Sequence, residues 1–168
     1  MTDDAKAVAD RIIDFLRGIG IDVREDALPD DTFLPGLRVA SGGLVVDRTK
    51  LLWPGDLLHE AGHIAVTPSS SRPLLSDALH AHVEAPHAGE VEATAWAYAA
   101  TVALNLDPAL LFHAGGYRGA SPGLILTYTM GVYPGCHGLS EADMTRVGEA
   151  ARVQGVEPYP AMMRWLRE

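Results

Sequence analysis

The sequence predicts an α+β fold in which a small sheet sits among a majority of helices. Three observations lead there. Residues 3–18 carry apolar side chains at helical spacing. Two β-branched runs, LRVA and LVVD, flank a Ser-Gly-Gly turn. Beyond residue 55, the apolar stretches follow helix-start residues and keep the helical rather than the alternating period. At 168 residues with 48% hydrophobic content, the chain is long enough for one sizeable core. A single domain over 1–168 is expected, its centre at about 37–105 and a C-terminal helical part at about 106–168.

In the first helix, Ala7, Val8, Ile12, Phe15 and Leu16 form the apolar stripe, and Gly18 and Gly20 end it. A Pro- and Asp-rich stretch follows. LRVA and LVVD then read as a hairpin, and LLW as a further short strand stopped by Pro54-Gly55. Asp56 is placed to cap a helix running to about Val66. Residues 67–88, rich in Pro, Ser and His, read as a long excursion, and loops of that length in compact domains are usually functional. GEVEATAWAYAATVALNL is an Ala-rich helix ending near Asn105. Asp107-Pro108 and Ser121-Pro122 each have the form of a helix start, with proline at the first position. Ser140 followed by Asp143 approaches a capping box, and PAMMRWLRE reads as a last short helix.

The net charge is −9 with no basic block, which argues against a nucleic-acid partner. The lone Cys136 excludes an internal disulfide and fits a reducing compartment. An acidic N-terminus without an apolar h-region, and no apolar run of about 18 residues, lead to the expectation of a cytoplasmic protein with no membrane contact.

The chemistry concentrates in HEAGH, residues 59–63. Side chains four apart lie on one face of a helix, so His59 and His63 can hold one ion between them. Glu60, about 100° round the helix, is near enough to hold a water there without ligating the metal. Random placement of seven histidines and nine glutamates would give such a window in about 1–2% of chains this long, so ordinary helix histidines are a real alternative. A catalytic zinc takes three protein ligands, and Glu90 and Glu92 are the candidates for the third. They stand about 200° apart on their helix and cannot both face the metal. Glu92 shares a face with Ala95, Trp96 and Ala99, which makes it the expected ligand. Glu90 falls on the other side, at the helix start, where a carboxylate suits the dipole.

HEAGH, then an insertion, then E-A-T-A-W-A at 92–97 resembles the ImmA/IrrE-type zinc metallopeptidases. There, a strand leads into HExxH and a later helix carries a Glu-Ala-x-x-aromatic-Ala pattern. The resemblance covers roughly residues 37–104 and is more broadly that of the gluzincins, two histidines and a glutamate, within the zincin-like folds. It implies a zinc metalloendopeptidase with ligands His59, His63 and Glu92, and Glu60 as general base. It implies a small α+β catalytic domain, the metal helix under a short sheet, and an edge strand that receives an extended peptide or protein substrate.

The oxyanion of peptide hydrolysis needs a further donor, and Tyr117, Tyr128, Tyr133, His113 and His137 are candidates. Asp77, His80, His82, Glu84 and His87 are alternative ligands on the excursion, and Cys136 is an alternative fourth ligand. Neighbours in sequence seldom face each other, which disfavours a nucleophilic Cys136-His137 pair. The rival function is a catalytically inert zincin-like metal-binding domain acting in protein interaction or regulation, its cleft plugged by 67–88 or 133–138.

Overall fold

The structure, a computed structural model, describes residues 3–77 and 87–168. His80, His82 and Glu84 lie outside the described residues, as does the side chain of His87. The fold is α+β. Among the described residues there are seven α-helices and one three-stranded mixed sheet. No helix among them is long and apolar enough to cross a membrane.

Helix α1 (Asp3–Gly18) leads into β1 (Val23–Glu25). The hairpin follows as β2 (Leu37–Ala40) and β3 (Gly43–Val46). Ser41 and Gly42 turn it with φ of 51° and 73°, the left-handed pair that a two-residue hairpin turn requires. The sheet order is β1-β3-β2, with β1 parallel and β2 antiparallel to β3. Central β3 is buried at every position, which accounts for its unbroken apolar run. No strand was expected at β1, because a parallel pairing has no adjacent turn to announce it.

LLW is not a strand. The Asp47 carboxylate accepts hydrogen bonds from Thr49 N and Oγ1, turning the chain out of the sheet. Leu51 is buried, while Leu52 and Trp53 face outward. Helix α2 (Gly55–Val66) begins at Pro54, and Asp56 is not its cap. Beyond the 3-10 turn Arg72–Leu74 comes α3 (His87–Ala103), then α4 (Pro108–Leu111), capped as expected by Asp107. The last helices are α5 (Ser121–Thr129), α6 (Cys136–Glu141) and α7 (Gly148–Gln154). Ser140 sits inside α6 rather than capping a helix.

The expected terminal helix is absent, because its backbone is used elsewhere. Met162 bridges to Thr145, and Arg167 N donates to Ala65 O at the end of α2. Arg167 Nη1 donates to Val66 O, while Arg72 donates to Ile64 O and Thr67 O. At the last turn of α2 the carbonyls of Ile64 and Val66 are thereby satisfied by two guanidinium groups, the charge that this end of a helix favours, and that of Ala65 by a backbone amide.

The core lies where α1, α2, α3 and the sheet meet. Trp96 is fully buried, edge-on to Trp165 at 5.6 Å and tilted against Phe15 at 6.4 Å. α2 and α3 pack closely because Gly62 lies against Ala93, where a Cβ would come within 2.5 Å of the Ala93 carbonyl oxygen.

Candidate metal centre

Asp56, His59 and His63 follow at i, i+3 and i+7 on one face of α2. Glu90 enters from the first turn of α3. His59 Nε2 and His63 Nε2 stand 3.3 Å apart, Glu90 Oε1 is 3.2 Å from the first, and Glu90 Oε2 is 3.1 Å from the second. Donor atoms held tetrahedrally at the usual zinc distances are about 3.3–3.4 Å apart, so the group fits such an ion. The donor types fit as well: two imidazoles and one carboxylate. Burial alone would lower the His59 pKa, but the Glu90, Glu60 and Asp56 carboxylates outweigh it and hold that pKa above the ordinary imidazole value. Hydrogen bonds from His59 and His63 hold the Glu90 carboxyl well below the usual carboxylate range. Three carboxylates, those of Glu90, Glu60 and Asp56, thus act on His59, an environment suited to a cation.

Glu92, the expected third ligand, is not in this group. Its carboxylate accepts from Arg167 Nη1 at 3.1 Å, and Gly138 leaves the space it occupies. The inward face of α3 does not single out the carboxylate that stands beside the two histidines, because the helix is buried on more than one side. Trp96 faces Phe15 and Trp165, and Glu92 belongs to that sector. Glu90 precedes Ala93 by three residues, on the sector that meets Gly62 of α2. The signal available in the sequence was the small-residue face, Ala93 opposite Gly62, which marks where two helix backbones come close.

The other candidates are dispersed. The Tyr117 hydroxyl is 3.3 Å from His59 Nδ1. His113 Nε2 pairs with Asp56 Oδ1 at 2.8 Å, and its ring stacks on Trp53 at 4.6 Å. Tyr128 donates to Pro134 O and, with Tyr133, belongs to an aromatic cluster that includes Tyr98 and Tyr159. His137 is exposed, while Cys136 is buried and its thiol pKa is raised by that burial. The 133–138 loop approaches α3 at Val91 and Glu92, through Gly135 and Gly138. Neither Cys136 nor Asp77 joins the His59, His63 and Glu90 group.

Asp77 serves the sheet instead. Its Oδ1 accepts from Val39 N at 2.8 Å, Ser76 bridges to Ala40, and Leu75 O accepts from Gly42 N. Leu37 N donates to Leu34 O. One of the two edges of the sheet, that of β2, is thus lined by the chain's own residues 75–77.

Comparison with protein-family models, with curated proteins and with solved structures returned no match to this chain.

Proposed function

We propose that the protein is a zinc-dependent metallopeptidase of the zincin type, with His59, His63 and Glu90 as ligands and Glu60 as general base. The observation that carries this reading is the triangle of donor atoms 3.1–3.3 Å apart, built from two helices. Zinc held there supplies a Lewis acid that polarises a carbonyl and brings the ionisation of water to about pH 7. Glu60 follows His59 on α2, accepts the proton of the attacking water and passes it to the leaving amine. The order of elements, a hairpin with an antiparallel outer strand leading to the metal helix, is compatible with the ImmA/IrrE-type resemblance.

The test has two stages. Elemental analysis should find one zinc in wild type and in Glu92→Ala, and little in His59→Ala, His63→Ala or Glu90→Ala. Chelator-sensitive cleavage of a peptide library should then disappear in Glu60→Gln while zinc stays bound. Zinc retained by Glu90→Ala refutes the ligand set. One observation favours the second reading, an inert metal-binding domain: residues 75–77 already pair with β2. Zinc-loaded wild type that binds library peptides but cuts none would support it.

A further inference from the structure

We propose that Tyr117 is a positioning residue for the metal centre: its hydroxyl accepts a hydrogen bond from His59 Nδ1–H and so directs His59 Nε2 to the ion. The inference rests on the metal reading above. A neutral imidazole carries its proton on one nitrogen, and the partner of the protonated nitrogen decides which one faces a metal. His59 Nε2 faces His63 and Glu90, so the proton belongs on Nδ1, and the Tyr117 oxygen is 3.3 Å from that atom. Nδ1 lies across the ring from the metal-facing nitrogen, so Tyr117 braces the ligand from behind rather than reaching a reacting carbonyl.

The backbone around Tyr117 is built to aim this group. Tyr117, Arg118 and Gly119 have φ of 55°, 50° and 84°. Non-glycine residues adopt such values rarely and at a cost of about 1 kcal/mol or more each, and persist there only where their surroundings hold them. Here the hold is visible. The Tyr117 ring stands edge-on to Phe112 at 5.2 Å and to His59 at 5.7 Å. His113, four residues earlier, is tied to Asp56 and to Trp53, and its carbonyl accepts from Ser121 Oγ at 2.8 Å. Asp56 and His59 are one turn apart on α2, so the loop grips the metal helix at two successive points.

Tyr117→Phe keeps the ring and removes only the acceptor. Zinc affinity, read by competition with a chromophoric chelator, should fall tenfold or more, in line with losses at such outer partners. In nitrogen-15 spectra of zinc-loaded wild type, His59 should show a protected Nδ1–H, and in zinc-loaded Tyr117→Phe that proton should exchange rapidly. The melting temperature of the zinc-free form should hardly change, which separates positioning from loss of packing. Unchanged affinity with a protected Nδ1–H in Tyr117→Phe overturns the proposal. The wild-type spectrum tests it even if the variant does not fold, because zinc on His59 Nδ1 would refute it. Wild type that takes up no zinc overturns the metal reading itself, whereas normal zinc uptake with an indifferent Tyr117→Phe overturns only the role of Tyr117.

Discussion

Replacing Gly62 with Ala tests whether the approach of α2 to α3 builds the metal centre. The added Cβ would lie 2.5 Å from the Ala93 oxygen, 3.1 Å from its carbonyl carbon and 3.2 Å from its Cα. All three are backbone atoms, so no side chain can rotate away. Restoring ordinary contact requires the two helices to part by about 0.7–0.9 Å at this point. Overpacking of this kind costs about 1–3 kcal/mol, while alanine in place of glycine inside a helix returns about 1 kcal/mol. The net expectation is a loss of up to about 2 kcal/mol, or a melting temperature a few degrees lower for a chain of this size. Zinc binding is the sharper measurement. Glu90 is one turn from Ala93, so the same displacement opens the 3.1–3.2 Å separations between its oxygens and the two imidazoles. A loss of 1.4 kcal/mol in ligation corresponds to about tenfold in affinity, readable by chelator competition. A Gly62→Ala protein that melts no lower and binds zinc as tightly as wild type would refute the claim that this contact sets the ligand geometry.

Zinc affinity should fall as pH is lowered from 8. The neighbouring carboxylates raise the His59 pKa, so its proton competes with the metal starting above the ordinary value of about 6.5; a flat titration between pH 8 and 5.5 would contradict this. Arg167→Ala removes a donor to Val66 O and the partner of Glu92, and should cost about 1–3 kcal/mol in denaturant melts while leaving zinc stoichiometry unchanged at saturation. Asp77→Ala should speed hydrogen exchange at the Val39 amide and raise any cleavage of library peptides; an unchanged exchange rate would mean that Asp77 does not protect β2. Trp96→Ala should destabilise by about 3–5 kcal/mol, measured by urea unfolding of the zinc-free protein.

Local signals in the sequence located much of the fold. The stripe from Ala7 to Leu16 marked α1, the Ser-Gly-Gly turn marked the hairpin, and Asp107 capped α4 as its residue type implies. The failures were tertiary. β1 pairs in parallel across some twenty residues. Asp56 and Ser140 look like caps by residue type, but one binds His113 and the other lies inside α6. The terminal PAMMRWLRE has helical composition, yet its backbone caps another helix. At the site, His59 and His63 were legible because their spacing acts within one helix. Which of Glu90 and Glu92 approaches them was not, because it depends on which of several buried sectors of α3 meets α2.

The clasp that Arg72 and Arg167 place on the last turn of α2 bears on the order of events during folding. One of its hydrogen bonds spans 101 residues, and contacts that distant form late, after the intervening chain has collapsed. Until then the final turn of α2, which contains His63, is free to fray. Metal uptake should therefore follow tertiary assembly instead of nucleating it, and would report that the chain has finished folding.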